Sequence, residues 1–213
     1  MTHSYNQIYL DDAMRNLAEA LEVASYFYKF ELDFFMHMFI TSGLAKQFEV
    51  GNPKYIAGKS GIELVEEAVI RTYGPAKIIK CPSYYMEPTE EYWTGWVLAY
   101  FQWHSGKTFR DIQNIISMDE LKNKYHPYHE MDEDKIIEYI YDRAQSIPAA
   151  KRLQSYRKKL GLSQSELAKA ADVNIRTLQQ YESGAKDISK ASAATVVSLG
   201  KVLKCPVEDF ILL

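Results

Sequence analysis

The 213-residue sequence predicts an all-α protein, with an acidic helical N-terminal domain followed by a smaller basic helical domain. Apolar residues recur every three to four positions through most of the chain, as on one face of an α-helix. Several of these stretches follow Ser, Thr, Asp or Asn and end at Gly or Pro, which favour helix starts and ends. Hydrophobic residues make up 47% of the chain, enough for packed cores.

Charge is divided unevenly along the chain. From Ala149 onward there are 11 Lys and Arg against 6 Asp and Glu, a net charge of +5. The whole chain has 25 basic and 28 acidic residues, so the part before Ala149 has 14 and 22, a net of −8. This asymmetry fits a nucleic-acid-binding module attached to a domain that does not bind nucleic acid. Ordinary scatter of charge is the alternative.

The composition also indicates a compartment. No apolar run approaches the roughly 20 residues that span a bilayer, and the N-terminus lacks a signal-peptide pattern. Cys81 and Cys205 are far apart in sequence and form no metal-ligand motif. We therefore predict a reduced, cytoplasmic protein with no membrane contact.

Eight helices are predicted before residue 147. They cover about 10–28, 31–43, 44–50, 60–73, 90–104, 108–115, a short stretch from Met118, and 132–145. Gly51-Asn-Pro53 and Tyr125-His-Pro-Tyr-His129 are predicted breaks. Between residues 77 and 87, Ile78 and Ile79 could form a short strand, and Pro82 and Pro88 bracket a predicted extended loop.

The C-terminal part is predicted to contain five short helices. Ser146-Ile-Pro148 is the predicted boundary, because Pro148 disfavours helix at Ile147 and can open a new helix. The domains would therefore be 1–147 and 148–213. The five helices are expected at about 149–160, 164–171, 175–183, 190–203 and 206–212.

The stretch 162–184 reads as two helices joined by a tight turn. Ser163 can cap the first helix and Asn174 the second. Asp172 starts the turn, Val173 fills the angle between the helices, and Gly184 ends the second helix. This is the pattern of a helix-turn-helix, whose second helix enters the DNA major groove.

Residues Leu153 to Phe210 resemble the Xre/Cro family of helix-turn-helix domains. The residues that carry the resemblance are Leu160-Gly-Leu-Ser-Gln164, Glu166-Leu-Ala168, Tyr181-Glu-Ser-Gly184 and Leu203-Lys-Cys-Pro-Val-Glu-Asp209. The resemblance implies a five-helix, lambda-repressor-like domain. Asp172 stands where the family usually has Gly, and Asp tolerates a left-handed backbone better than most residues.

The resemblance also implies residue roles. Side chains expected to contact bases lie at the start and along the exposed side of the second helix: Asn174, Ile175, Arg176, Gln179 and Gln180. Side chains expected to approach the DNA backbone are Ser163, Gln164, Thr177, Ser183, Lys186 and Lys190. Arg157 and Glu182 match positions that form a structural ion pair in this family. A solvated polar face is the alternative for the exposed residues.

The partners implied are double-stranded DNA and a second copy of the chain. A two-fold homodimer would read a palindromic operator, using either the apolar tail Phe210–Leu213 or the N-terminal domain for pairing. That domain is also similar to helical regions of bacterial toxin–antitoxin-like regulators, on Phe48–Tyr55, Tyr92–Trp96 and Trp103–Phe109. The predicted function is a transcriptional regulator that represses its own operon. The alternative is an antitoxin that sequesters a toxin-like protein through residues 1–147.

The helix 90–104 is strongly aromatic. It contains Tyr92, Trp93, Trp96, Tyr100, Phe101 and Trp103. These rings could line a pocket for a planar ligand or clamp a partner chain. The competing interpretation is a central helix packed on several sides, with Gly95 permitting close helix approach.

No group of residues indicates an enzyme, a cofactor or a metal site. Pro127 interrupts the spacing of His126 and His129, which argues against zinc ligation. Ser105-Gly-Lys-Thr108 resembles the end of a phosphate-binding loop but lacks the upstream glycines. Paired carboxylates such as Glu66 and Glu67 are better explained as solvated helix faces.

Overall fold

A computed structural model describes residues 3–79 and 89–211 of the chain. These residues form helices, turns and irregular segments, with no strand among them, so the all-α class is confirmed. The chain divides into two compact units, Met1–Tyr141 and Asp142–Leu213, while the boundary after residue 147 remains a prediction. In the described ranges, no helix has the length and apolar character needed to cross a membrane.

Ten α-helices follow one another in the described residues up to Ser146. They are α1 (Leu10–Tyr26), α2 (Leu32–Thr41), α3 (Leu44–Glu49), α4 (Pro53–Ile56), α5 (Gly61–Tyr73), α6 (Glu90–Ser105), α7 (Phe109–Ile115), α8 (Met118–Lys122), α9 (Tyr125–Tyr128) and α10 (Glu133–Ser146). Four predicted caps are formed by side chains that accept a backbone N–H three residues on: Ser60, Thr89, Thr108 and Ser117. Local hydrogen bonds thus start α5 to α8 where the sequence predicts.

The structure differs from the sequence prediction at three places. The chain breaks at Gly51-Asn52, but Asn52 then caps α4, which was not predicted. The predicted break at Tyr125–His129 contains the short α9, with a non-helical backbone at His126. Ile78 and Ile79 form no strand, so that prediction is wrong; instead the Tyr28 hydroxyl lies 3.2 Å from the Ile79 nitrogen. The predicted extended loop between Pro82 and Pro88 lies outside the described residues.

Helix α1 is the central helix of the first unit. It contacts α2, α4, α5 and α6. Its small side chains, such as Ala18 and Ala20, are fully buried and let neighbouring helices approach closely. The buried Asn16 side chain donates to the Ile56 carbonyl at 2.9 Å, which ties α1 to α4. The helix is therefore covered on most of its circumference.

Two glycines press against α1. A Cβ placed on Gly95 of α6 would lie 2.6 Å from both the Ala18 Cα and the Leu17 carbonyl oxygen. Gly61, at the start of α5, meets the backbone of Asn16 and Ala20 in the same way. Both contacts are with backbone, which cannot move aside as a flexible side chain can. Glycine is therefore required where α5 and α6 cross α1.

Helix α6 is packed on more than one side, against α1, α8 and α9. Its core-facing side is formed by Thr94, Val97, Leu98 and Phe101, which are buried. Tyr92, Trp96 and Tyr100 are half-buried on the other side, and Trp93, one turn before Val97, is half-buried against Tyr125 of α9. Rings of this size do not fit at the close crossing with α1. Tyr92, Trp96 and Tyr100 lie on the outer side for that reason, whereas Phe101 and Trp103 are buried.

Acidic side chains cap helices that are distant in sequence. Glu49 accepts the Phe109 N–H at the start of α7 (2.8 Å), and Asp33 accepts the Met118 N–H at the start of α8 (2.9 Å). Glu19 accepts the N–H of Gly61 at the start of α5. Negative charge is favourable at a helix N-terminus, where backbone N–H groups lack partners. Part of the acidity of this unit is therefore structural.

Four α-helices and two 3-10 turns follow Ser146 in the described residues of the second unit. They are α11 (Ala149–Lys159), α12 (Gln164–Ala170), α13 (Ile175–Ser183), a turn at Ile188–Lys190, α14 (Ala193–Leu203) and a turn at Val207–Asp209. Two predictions are corrected. The fourth helix starts at Ala193 because Ser192 caps it, and the fifth helix is only a 3-10 turn.

One core holds this unit together. It is formed by Leu153, Leu167, Ala168, Ala171, Leu178, Tyr181, Ile188, Val196, Leu199, Leu203, Phe210 and Ile211. Phe210 and Ile211 belong to the apolar tail that was predicted as one possible dimer surface. They are buried in the core of their own domain, so they cannot also face a second copy without leaving it. Leu212 and Leu213 of the same tail lie outside the described residues.

We predict that Gly95→Ala destabilises the first unit. The added methyl group would collide with the α1 backbone, and overpacking typically costs about 1–3 kcal/mol, although Ala favours a helix by about 1 kcal/mol over Gly. Denaturant unfolding followed by tryptophan fluorescence measures this unit, because Trp93, Trp96 and Trp103 all lie on α6. Asn114→Ala, at an exposed position of α7, should leave the midpoint nearly unchanged. A Gly95→Ala variant as stable as the wild type would contradict the close crossing.

Candidate nucleic-acid interface

The α12–turn–α13 segment is fixed by local caps. Ser163 accepts the Glu166 N–H (3.2 Å) and donates its own N–H to the Glu166 carboxylate (2.7 Å), forming a capping box. The Asn174 side chain accepts the Arg176 N–H at 2.9 Å and begins α13. In the turn, Asp172 adopts a left-handed backbone with φ +53°, and Gly184 ends α13 with φ +77°. The turn is thus formed without the usual glycine.

Packing sets how the two helices meet. Ala168 and Ala171 of α12 and Leu178 of α13 are buried in the domain core, and Val173 of the turn packs against it. Small residues on α12 allow α13 to lie close to it. The Ser198 hydroxyl of α14 donates to the Ala171 carbonyl at 2.6 Å, which anchors the turn to the rest of the domain.

A buried ion pair joins α11 to α13. Arg157 Nε lies 2.6 Å from Glu182 Oε1, and Arg157 Nη2 lies 2.8 Å from Glu182 Oε2. The two side chains are only 9% and 1% exposed. Arg157 Nη1 also donates to the Leu162 carbonyl at 2.7 Å. This two-bond contact accepts a single orientation of guanidinium and carboxylate, so it fixes α13 relative to α11.

Gln164 extends this network to α12. Gln164 Nε2 donates to Glu182 Oε2 at 2.8 Å. Gln179 Nε2 lies 3.5 Å from Gln164 Oε1. Burial alone would raise the pKa of Glu182, but hydrogen bonds from Arg157 and Gln164, together with the Arg157 charge, hold this pKa below the usual glutamate value. Three helices therefore converge on one ionised carboxylate.

The outer side of α13 is polar and exposed. The exposed residues that were predicted to contact bases are Asn174, Ile175, Arg176, Gln179 and Gln180. Thr177 is half-buried. The opposite side of α13, with Leu178, Tyr181 and Glu182, is buried in the domain. The helix therefore separates a fixed inner face from an accessible outer face.

The predicted backbone contacts lie at the ends of α12 and α13 and in the loop that follows. Ser163 and Ser183 are exposed, and Gln164 is half-buried. Lys186 is exposed and its ammonium lies 5.7 Å from the centre of the Tyr181 ring. Lys190 belongs to the 3-10 turn after α13, not to the fourth helix.

Residues 153–210 match the family model described as helix-turn-helix. This segment is a helix-turn-helix domain. The matched residues include the whole Arg157–Glu182–Gln164 network and the exposed side of α13, and the resemblance to the Xre/Cro family is confirmed for them. Neither the curated proteins nor the solved structures contain a match to the chain. The helix-turn-helix domain supports a DNA-binding regulator of the Xre type.

Two contacts of the helix-turn-helix domain were not predicted from the sequence. Gln164 binds Glu182, although the two residues are 18 positions apart. The Tyr156 hydroxyl donates to the Asp209 carboxylate at 2.8 Å, which ties the last turn to α11. No spacing rule links residues on different helices. In the described residues, no group of three or more His, Cys, Asp or Glu side chains is arranged to hold a metal ion.

We predict that Glu182→Gln destabilises the helix-turn-helix domain by about 3–5 kcal/mol, because Arg157 would stay buried without its counter-charge. Hydrogen exchange of peptides from α11 and α13, read by mass spectrometry, measures this loss. The control is Glu166→Gln, an exposed carboxyl in a capping box that also accepts glutamine, with an expected change within about 0.5 kcal/mol. Equal protection in both variants would contradict a stabilising pair.

Glu182→Gln should also change how the stability of the helix-turn-helix domain depends on pH. The pKa of Glu182 is lower in the folded state, so the unfolded chain takes up a proton first as the pH falls. The stabilising contribution is complete above about pH 5 and is lost as the pH falls through about 4 toward the folded pKa. Protection of α11 and α13 should therefore decline less steeply with acid in Glu182→Gln than in the wild type. If protection declined equally steeply in the variant and the wild type, a group other than Glu182 would control the loss of stability in acid.

Proposed function

We propose that this chain is a sequence-specific transcriptional regulator, acting in the cytoplasm, that represses its own operon. The observation that carries the proposal is the exposed polar side of α13, on a helix whose inner side is fixed by Arg157 and Glu182. The recognition helix of a helix-turn-helix enters the major groove. A rigid helix is suited to that task because base contacts require accurate placement of side chains.

Each exposed side chain of α13 suits a different base edge. Arg176 can donate two hydrogen bonds to guanine O6 and N7, and Gln179 and Gln180 can pair with adenine N6 and N7. Ile175 offers an apolar contact to a thymine methyl group. Asn174 uses its oxygen to cap α13, which directs its NH2 group away from the helix. The residues together would read a short half-site.

Phosphate contacts would position the domain on the duplex. The Ser163 oxygen accepts in the capping box, and its hydroxyl hydrogen can still be donated to a phosphate. Gln164 is held by Glu182, so its amide is oriented before DNA arrives. We assign the same backbone role to Thr177, Ser183, Lys186 and Lys190.

We propose a homodimer on a palindromic operator. A two-fold pair of helix-turn-helix domains reads half-sites about one helical turn apart. Since Phe210 and Ile211 are buried, the first unit is the better candidate for pairing.

Residues 1–147 would also bind a partner protein. The half-buried aromatic side of α6 favours this second role. An antitoxin would use that domain to sequester the product of an adjacent gene, and co-purification with that product tests this alternative.

We predict that Arg176→Ala abolishes sequence discrimination at one base pair. A lost bidentate contact costs about 1–3 kcal/mol, or roughly 5- to 150-fold in Kd for the operator. A gel shift with DNA from upstream of the coding region, against a scrambled duplex, measures this, and circular dichroism checks the fold. Lys201→Ala, an exposed cation of α14, is the matched control and should change specific binding little. Unchanged operator binding in Arg176→Ala would refute the assignment of α13.

We predict a different effect for Lys186→Ala. A phosphate contact carries no sequence information, so operator and scrambled duplex should be weakened by a similar factor. The slope of log Kd against log salt concentration should fall by about 1, as one fewer counterion is released. Titrations at several salt concentrations measure this slope. Weakening confined to the operator would place Lys186 at a base instead.

A further inference from the structure

Three aromatic residues form a stripe along the outer side of α6. Tyr92, Trp96 and Tyr100 recur at intervals of four residues, so they lie on one side of the helix. All three are half-buried, whereas Val97, Leu98 and Phe101 on the opposite side are buried in the core. The rings of Tyr92 and Trp96 are stacked, with centroids 6.4 Å apart. We call these three residues the aromatic stripe.

The other tryptophans of α6 are covered within their own unit. The Trp93 ring meets the edge of Tyr125, with centroids 5.7 Å apart. Trp103 is 5% exposed, stacks on His3 at 3.8 Å and donates its Nε1–H to the Tyr5 carbonyl at 2.9 Å. The unit therefore buries Trp103 almost completely and leaves the rings of the aromatic stripe half-buried, with part of each ring in contact with solvent.

Negative charge borders the aromatic stripe at its Tyr100 end. Asp132, Glu133 and Asp134 are exposed at the start of α10. Burial raises the pKa of the Tyr100 hydroxyl, and these three carboxylates raise it further, which places them near that ring. At the other end, burial raises the pKa of the Tyr92 hydroxyl, and Arg15 opposes this more strongly than either Glu22 or Glu19 adds to it, so that end carries mixed charge.

We propose that the aromatic stripe binds a basic amphipathic helix of a partner protein. The apolar side of such a helix would cover Trp96, and its Lys or Arg side chains would lie over the aromatic faces and beside the bordering carboxylates. A second copy that pairs through the same surface is disfavoured, because the carboxylates beside the two aromatic stripes would bring like charges together. DNA is disfavoured for the same reason. The inference rests on the proposed partner-binding role of residues 1–147 and is independent of DNA binding.

The test uses two synthetic amphipathic peptides of about four helical turns. Both have leucine on one side; one has lysine and the other glutamate on the polar side. Each is titrated into the full chain, and binding is read by tryptophan fluorescence, since all three tryptophans lie on α6. We expect saturable binding of the lysine peptide, weakened by salt, and none of the glutamate peptide.

Variants locate the binding site. Trp96→Ala should weaken the lysine peptide at least about tenfold, as loss of a central aromatic anchor does in other interfaces, while Trp96→Phe should restore most of the affinity. Tyr73→Ala, at a tyrosine that is 50% exposed on α5, is the matched control and should bind as the wild type. Glu133→Lys, on an exposed residue of α10 outside the core, should weaken binding and leave the unit folded. It carries the test if Trp96→Ala fails to fold.

Several results would overturn the inference. They are absence of lysine-peptide binding, equal affinity for both peptides, and equal loss in Tyr73→Ala and the stripe variants. A mass that doubles with protein concentration and requires Trp96 would identify a second copy as the occupant. Gel shifts on the same variants separate the two proposals. Arg176→Ala should lose operator binding and keep peptide binding, and Trp96→Ala should do the reverse.

Discussion

The geometry of the helix-turn-helix domain depends on one buried carboxylate, that of Glu182. Removing two charges from water is costly, and the cost is offset only when every polar group finds a partner. Here Arg157 binds both carboxylate oxygens and the Leu162 carbonyl, and Gln164 adds a third hydrogen bond to Glu182. An apolar pair of equal volume is often as stable, but it would not impose one orientation. Compared with an apolar pair, the ion pair therefore adds a fixed orientation of the recognition helix more than it adds stability to the domain.

Much of the fold could be predicted because the residues that begin a helix lie close together in the sequence. Ser60, Thr89, Thr108, Ser117 and Ser163 each cap a helix through residues three positions away, and the sequence shows both partners. The base-facing residues of α13 could be placed for the same reason, by helical spacing and by family resemblance. The predicted fifth helix failed because a tertiary contact overrides local preference. Phe210 leaves the helical region with φ −125° as its ring enters the core, so only one turn forms. The contact between Gln164 and Glu182 left no signal in the sequence.

Helices α1 and α6 show what composition predicts about packing in the N-terminal domain. Six aromatic residues suggested that α6 is packed on several sides, and it does contact α1, α8 and α9, but the helix at the centre of the unit is α1, which is rich in alanine. Close crossings favour residues with small side chains, and Gly95 meets Ala18 at a distance that excludes even a methyl group. Tyr92, Trp96 and Tyr100 are therefore placed where space remains, on the outer side of α6, while Phe101 and Trp103 are buried. A high aromatic content therefore does not by itself show that a helix is buried, because some of the rings can lie at the surface of the domain.

The caps formed by Glu19, Asp33 and Glu49 affect the electrostatic field around the first unit. Each faces the N-terminus of another helix, which carries roughly half a positive elementary charge. The formal charge of −8 before Ala149 counts these groups as if they stood alone in water. A helix dipole adds no net charge, because its C-terminus is as negative as its N-terminus is positive, so the net charge of the unit is unchanged. Close to each of these carboxylates, however, the N–H groups that it faces weaken its field. A count of acidic residues therefore overstates how many of them present a free negative charge to a partner molecule.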